Sequence, residues 1–243
     1  MASESILCKG CWQNMKLPIA LRGVAAVPYR AVGIRQSRMN PNTCTICETM
    51  FERVMKARQV EIDATILFAD LRGYTSLSQS QSSGAIAALL DAFYDVCREA
   101  IWEYDGIINK TMGDAVLAVF NFPIKHENHA AHAFAAARKI QELWRARRDE
   151  LSDGLGVEAA TIGIGIGLDT GKVNFGEFGR THQDLTAIGT VVNVASRAQS
   201  AAAPDQILMT SAVREQAAAA LPESAAREYQ LKGLDAPAKL WAA

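Results

Sequence analysis

The chain has 243 residues, of which 49% are hydrophobic and 21% are charged, and its formal net charge is −1. This size and composition predict a globular protein with one large domain and a small appendage. The near-neutral charge excludes a globally basic nucleic-acid-binding protein, so no nucleic-acid partner is expected. Arg22 and Arg30 interrupt the apolar stretch from Leu17 to Ile34, and no membrane span is predicted.

The first 60 residues differ in charge from the rest of the chain. They contain nine basic and three acidic residues, a net charge of +6, which leaves −7 for the remainder. This break predicts a basic N-terminal segment over residues 1–60 and a second domain over residues 61–243. The chain does not start with a basic region followed by an apolar one, so we expect no secretory signal, a cytoplasmic location and reduced cysteines.

The N-terminal segment contains two C-x-x-C pairs, formed by Cys8, Cys11, Cys44 and Cys47. In a reducing compartment this spacing favours a metal knuckle over a disulfide framework. A structural Zn²⁺ site is the preferred interpretation. Because the gap between the pairs is longer than in common zinc ribbons, an iron–sulfur site, a redox role and unliganded thiols remain open.

From residue 61 the hydrophobic pattern becomes regular. It predicts, in order, a strand over 63–70, a helix over 83–104, strands over 106–111 and 115–121, a helix over 127–151, strands over 160–168, 172–178 and 184–189, a helix over 191–201, a strand over 206–210, a helix over 211–220, and a closing strand pair near 228–232 and 238–242. Such a mixture predicts an α+β fold with helices on one face of a mostly antiparallel sheet. The first six elements have the βαββαβ order of a ferredoxin-like core.

Two aspartates stand where predicted strands end. Asp70 closes an apolar strand, and Asp114 follows Gly113 between two strand-forming runs. Each aspartate alone would be interpreted as a turn residue. Together, on neighbouring strands, they supply ligands for a pair of hard divalent cations that clamp a phosphoryl group.

A third segment places Asn193 and Arg197 four residues apart, on one face of a predicted helix. The three segments, with Leu231-Lys232-Gly233 near the end, resemble the catalytic domain of the class III nucleotidyl cyclases, the adenylate and guanylate cyclases. The resemblance covers about residues 61–243. It implies the class III cyclase fold and in-line attack of the ribose 3′-oxygen on the α-phosphorus, which yields a 3′,5′-cyclic nucleotide and pyrophosphate.

The resemblance also implies a set of metal ligands and phosphate contacts. Asp70 and Asp114 correspond to the ligands of two Mg²⁺ or Mn²⁺ ions per active site, and the Leu71 carbonyl is a further candidate oxygen ligand. Lys232 corresponds to a lysine that contacts the triphosphate, with a turn lysine as the alternative. Arg72 is a candidate for neutralising the pyrophosphate.

Two further residues correspond to transition-state contacts of the family. Asn193 resembles the residue that orients the ribose. Arg197 resembles the residue that meets the charge growing on the α-phosphate, a role for which a guanidinium fork is well suited.

The base-selecting positions of the family fall on Lys110 and Thr186. A lysine ammonium only donates hydrogen bonds, whereas a threonine hydroxyl also accepts them. Adenine offers an N1 acceptor to Lys110 and an amino donor to Thr186, whereas guanine offers an N1 donor that Lys110 would oppose. The pair therefore predicts ATP as substrate, and hence an adenylate cyclase.

The resemblance further implies a head-to-tail homodimer with two active sites at the interface. Asp70 and Asp114 of one chain would meet the base-selecting and transition-state residues of the other. The alternatives are a catalytically inactive cyclase-like homodimer with a regulatory or scaffold role, and a guanylate cyclase. Residues 1–60 are also a candidate adaptor or sensor attached to the enzyme.

Overall fold

The computed structural model describes residues 5–57, 59–158, 161–178, 184–217, 225–231 and 237–243. The strands are β1 Val60–Leu71, β2 Ile107–Met112, β3 Ala115–Phe120, β4 Ile164–Phe178, β5 Asp184–Ile188, β6 Ile207–Thr210, β7 Ala226–Tyr229 and β8 Ala238–Ala242. The helices are α1 Lys9–Met15, α2 Val27–Ala31, α3 Thr45–Ala57, α4 Tyr74–Ser80, α5 Ser83–Glu103, α6 His129–Leu155, α7 Thr190–Ala201 and α8 Ser211–Gln216. No helix in these ranges is long and apolar enough to cross a bilayer.

The strands form one sheet in the order β2-β3-β1-β4-β6-β8-β7, with β5 paired to β4. The pairings are antiparallel except for the parallel pair β4–β6. The sequence β1-α5-β2-β3-α6-β4 and the strand order β2-β3-β1-β4 confirm the predicted ferredoxin-like core and the α+β class.

Helices cover both faces of the sheet, and the prediction of helices on one face only was wrong. Leu67 and Ala69 of β1 pack with α5 and α6, whereas Ile66 and Phe68 pack on the opposite face with α7 and α3. The physical reason is visible in β1, where six consecutive residues, 64–69, are buried. An unbroken apolar run is the pattern of a strand covered on both sides, whereas a strand with one wet face alternates.

Strand β4 is continuous, although the sequence predicts two strands with a break near residue 170. It pairs with β1 along its length, from Ile164 opposite Leu71 to Phe175 opposite Val60. The polar residues at the predicted break are satisfied inside the sheet: Thr210 donates to Asp169 at 2.6 Å and Thr65 donates to Thr170 at 2.8 Å. Buried polar side chains can therefore continue a strand when partners are provided by neighbouring strands.

The N-terminal segment contains three α-helices among the described residues, α1, α2 and α3. Helices α1 and α3 each begin at a C-x-x-C pair. Phe51 of α3 packs against Phe122, with ring centroids 4.1 Å apart, and against Phe175 of β4 at 5.8 Å. The segment therefore packs directly on the second face of the sheet.

Candidate active site and cysteine cluster

The structure brings Asp70 and Asp114 together at one end of β1. Asp70 lies opposite Ala115 in the β1–β3 pairing, and the Leu71 amide donates to the Asp114 carbonyl at 3.0 Å. The tight β2–β3 turn that carries Asp114 passes through Gly113 at φ +62°, a conformation that glycine adopts without strain. Local turn chemistry and strand register thus place both carboxylates at the same edge.

The electrostatics of this pair fit a divalent cation. Burial, followed by the negative charge of Asp114, raises the pKa of the Asp70 carboxyl to about 6, and Arg72 opposes this only in part. A carboxylate whose ionised form is disfavoured by burial and by a neighbouring negative charge is stabilised by a hard cation with oxygen ligands. The donor set is therefore suited to Mg²⁺ or Mn²⁺.

Arg72 links the edge that carries Asp70 and Asp114 to α7. Its guanidinium lies 3.4 Å from the Asp70 carboxylate and donates to the backbone carbonyl of Gln199. It also packs over Gly165, where a side chain would collide with it. The buried Nε has no hydrogen-bond partner among the described residues. These contacts are internal to the chain, and the role of Arg72 toward pyrophosphate stays a prediction.

The base-selecting pair lies on β2 and β5. The Thr186 hydroxyl donates to Asn109 Oδ1 at 3.1 Å, and the Ala187 amide donates to the same oxygen at 3.4 Å. Asn109 immediately precedes Lys110, at an irregularity in the β2–β3 register between Ile108 and Lys110. Thr186 therefore contacts Asn109, the residue next to Lys110 on β2.

Sequence reasoning missed Asn109. The available signal was a polar asparagine inside the strand-forming run that starts at Ile107, since asparagine is depleted in strands. Its partner Thr186 is distant in sequence. The sequence pattern therefore shows that Asn109 is unusual for a strand, but it does not show which residue Asn109 contacts.

Helix α7 presents Asn193 and Arg197 away from the core. Ala195 and Ala198 of the same helix are buried, whereas Asn193 is exposed and Arg197 is half-buried. Gly167 has no side chain, so α7 can lie directly against β4. A Cβ at this position would meet the Ala195 carbonyl and the Gln199 amide. Lys232, the predicted triphosphate contact, lies outside the described residues.

The four predicted cysteine ligands meet in one cluster. Their Sγ atoms all lie within 4.8 Å of one another, and each of them is a free thiol. Cys8, Cys11 and Cys44 are fully buried, and Cys47 is partly exposed. A disulfide framework is therefore not formed by this part of the chain.

Comparison with known families agrees with the fold. The family model described as "Adenylate and Guanylate cyclase catalytic domain" matches residues 56–241. The chain belongs to this family of nucleotide cyclase catalytic domains.

Two of the similar proteins are named as adenylate cyclases. An adenylate cyclase of Anabaena cylindrica is 38% identical over 135 residues, which cover 55% of this chain and 26% of that protein. Adenylate cyclase 1 of Rhizobium meliloti is 31% identical over 137 residues, which cover 56% of this chain and 20% of that protein. The chain thus matches about a quarter or less of the length of these relatives.

Solved structures of cyclases share the fold. The guanylyl cyclase Cya2 superposes with a TM-score of 0.69 and 28% identity, covering 76% of this chain and 92% of that chain. The adenylyl cyclase CyaB from P. aeruginosa superposes with a TM-score of 0.68 and 26% identity, covering 76% and 95%. Because both specificities occur among the neighbours, base preference has to be argued from this chain's own residues.

Proposed function

We propose that the protein is an adenylate cyclase, which converts ATP into 3′,5′-cyclic AMP and pyrophosphate. The observation that carries this proposal is the direction of the hydrogen bonds around Asn109. The Ala187 amide can only donate, so the atom that it contacts is the carbonyl oxygen of Asn109. The Thr186 hydroxyl donates to that same oxygen at 3.1 Å, and the Ala187 carbonyl, at 3.4 Å, is a second acceptor within the chain.

A hydroxyl whose proton is donated within the protein in this way can only accept a hydrogen bond from a substrate. The 6-amino group of adenine donates to such an oxygen, whereas the O6 of guanine is an acceptor and would face it unpaired. Lys110 adds a donor that matches N1 of adenine and opposes the N1–H of guanine. Both side chains therefore favour ATP over GTP.

The phosphate chemistry is assigned to the remaining site residues. Asp70 and Asp114, with the Leu71 carbonyl, would hold two Mg²⁺ or Mn²⁺ ions, which when bound supply acidification of the ribose 3′-hydroxyl and charge neutralisation. Asn193 orients the ribose, and Arg197 donates to the oxyanion that develops at the α-phosphate. Lys232 completes the set as a contact to the triphosphate.

We further propose that the active enzyme is a head-to-tail homodimer. Met112 and Ile188 are large apolar residues that are 45% and 41% exposed, and each follows a base-selecting residue by two positions on its strand. Residues two apart on a strand share a face, so apolar surface lies beside Lys110 and Thr186. A second copy would cover it while contributing its own Asp70 and Asp114.

The test is cyclase activity on ATP and on GTP, each with Mg²⁺ or Mn²⁺. We expect cyclic AMP from ATP, and a kcat/KM for GTP lower by about 100-fold, the equivalent of ~2.7 kcal/mol for one opposed donor and one unpaired acceptor. Lys110→Glu should reverse much of this preference, and Lys139→Gln, which alters a half-buried lysine of α6 paired with Glu142, should leave it unchanged.

Two outcomes would overturn the proposal. Cyclic GMP as the main product would make the protein a guanylate cyclase. No product from either nucleotide, with folded wild-type protein and both metals, would favour a cyclase-like regulatory homodimer.

A further inference from the structure

The four cysteines of the N-terminal segment have the spacing of a closed tetrathiolate site. Cys11 Sγ lies 3.4 Å from Cys44 Sγ and 3.3 Å from Cys47 Sγ, and Cys8 Sγ lies 3.6 Å from Cys47 Sγ. A tetrahedral Zn²⁺ with Zn–S bonds of about 2.3 Å sets its sulfurs about 3.8 Å apart. One small cation therefore fits among these atoms with only slight expansion.

The segment around the cluster has little apolar core to hold it folded. The apolar core around the cysteines is small, with Leu21 as its one fully buried non-cysteine member among the described residues. A short segment with so little core usually depends on a metal or a disulfide for its fold.

We propose that Cys8, Cys11, Cys44 and Cys47 bind one Zn²⁺ as thiolates, and that the closed site clamps the N-terminal segment onto the turn that begins β2. Four thiolates with no open position are typical of structural zinc, which has no redox chemistry and accepts tetrahedral geometry. The ligands come from the starts of α1 and α3, so the metal would hold these two helices together.

The clamp contacts surround Asp105. Lys9, next to Cys8, lies 2.5 Å from Asp105 Oδ2, and Asn42, two residues before Cys44, donates to Asp105 Oδ1 at 2.8 Å. Asn40 donates to the Gly106 carbonyl at 2.8 Å. Each half of the cysteine cluster thus contributes a side chain to the same turn.

Asp105 does not form a second metal site. It lies near His126 and His132, but the His126 ring bonds its Oδ2 at 2.9 Å and Lys9 occupies the same oxygen. An ammonium in this position repels a cation. The turn is therefore the surface onto which the zinc-stabilised segment packs.

This arrangement connects the cysteine site to the strand that selects the base. Residue 107 begins β2, which carries Asn109 and Lys110 three and four residues further along than Gly106. The zinc site would limit the motion of β2, and this effect can be tested independently of the reaction that the protein catalyses.

The metal is tested by elemental analysis of the full chain purified without added metal. We expect one zinc per chain in the wild type and in the control Cys97→Ala, whose cysteine lies in the core of the catalytic domain, and loss of zinc in Cys47→Ser. Protein produced with Co²⁺ should show the absorption bands of tetrahedral cobalt–thiolate. Iron in place of zinc, or no stoichiometric metal in the folded wild type, would overturn the assignment.

The clamp is tested by amide hydrogen exchange of residues 105–112. Removal of zinc with a chelator should accelerate exchange there by about tenfold or more, the effect of losing a charge-assisted contact. Lys9→Met should accelerate it while keeping the zinc, and Lys16→Met, which alters a lysine outside the clamp, should not. Unchanged amide hydrogen exchange in β2 after zinc loss would show that the N-terminal segment does not stabilise this strand.

Discussion

At the scale of single residues, the direction of one hydrogen bond decides what Thr186 offers to a nucleotide. A threonine hydroxyl next to an empty site can rotate and either donate or accept, so it does not discriminate between adenine and guanine. The Asn109 carbonyl at 3.1 Å and the Ala187 carbonyl at 3.4 Å both accept from this hydroxyl, which leaves its lone pairs for a nucleotide. In the proposed adenylate cyclase, Asn109 is therefore a positioning residue for base choice, acting through Thr186.

Asn109→Ala should weaken discrimination without abolishing catalysis. With its acceptor gone, the Thr186 hydroxyl can turn and donate to guanine, so the ratio of kcat/KM for ATP over GTP should fall by about tenfold, with a larger change in KM than in kcat. Asn109→Asp keeps an acceptor oxygen and should retain most of the preference. Equal ratios in the wild type and Asn109→Ala would contradict this role.

Asp105 gives a second residue-scale expectation, on pH. Burial alone would raise the pKa of its carboxyl, but hydrogen bonds from His126, Lys9 and Asn42 outweigh this and lower the pKa. Because the folded-state pKa lies below that of the unfolded chain, the ionised carboxylate stabilises the fold above about pH 4. This contribution disappears as the pH falls through the lowered folded-state pKa.

Asp105→Asn should therefore reduce the free energy of unfolding at pH 7 by about 1–3 kcal/mol. The difference from the wild type should shrink as the pH falls below about 4, as measured by urea denaturation across pH. Asparagine tolerates the positive φ of this residue, which limits backbone effects. Asp95→Asn, in an exposed pair with Arg98, is the control and should change little at any pH. A constant difference between wild type and Asp105→Asn at all pH values would contradict the assignment.

At the scale of elements, the close packing of α7 against β4 determines the positions of Asn193 and Arg197, the predicted transition-state contacts. Gly167 allows the helix backbone to lie directly on the strand, and Arg72 ties the same helix to the end of β1. A displaced α7 would move Asn193 and Arg197 together. The packing at Gly167 thus controls the position of two side chains that are predicted to contact the transition state.

Gly167→Ala should lower the free energy of unfolding by about 2 kcal/mol or more, because the new methyl group meets backbone atoms that cannot rotate away. Gly154→Ala is a matched control in α6, where nothing lies within 4 Å of the new Cβ, and it should raise stability by about 0.5–1 kcal/mol. Urea denaturation of the three proteins measures both effects. A stable Gly167→Ala protein would mean that α7 can shift at little cost.

At the scale of the whole molecule, one chain carries both halves of the proposed active site. Asp70 and Asp114 form the metal edge, and the residues of β2, β5 and α7 form the nucleotide-recognition half. In a head-to-tail dimer each half would work with the complementary half of the partner. A two-fold arrangement then creates two equivalent sites.

Mixing inactive variants tests this arrangement. Asp70→Ala and Arg197→Ala should each be inactive alone, but co-expression should restore about a quarter of wild-type activity, because half of the dimers are mixed and each mixed dimer has one intact site. Asp70→Ala mixed with Asp114→Ala, both in the metal half, should stay inactive and serves as the control. No recovery in the first mixture, or full activity in a verified monomer, would exclude shared sites.

The sequence by itself was sufficient for features encoded over short stretches. Periodicity predicted β1, α5 and α7 to within a few residues, because alternation and helical spacing depend only on neighbours in the chain. The strand-end aspartates and the Asn193–Arg197 pair could be found in the same way. Likewise, the two C-x-x-C pairs indicated a metal knuckle before their sulfurs were seen together.

Only the tertiary structure decided the contacts between distant segments. Asn109 meets Thr186 across 77 positions, and Lys9 meets Asp105 across 96. Such pairs depend on strand order and register, which no local pattern specifies, and a shift of one residue would turn each side chain to the opposite face. The sequence therefore determined which residues are candidates for the chemistry, whereas the fold determined which hydroxyl donates to Asn109 and which turn contacts the segment that carries the cysteine cluster.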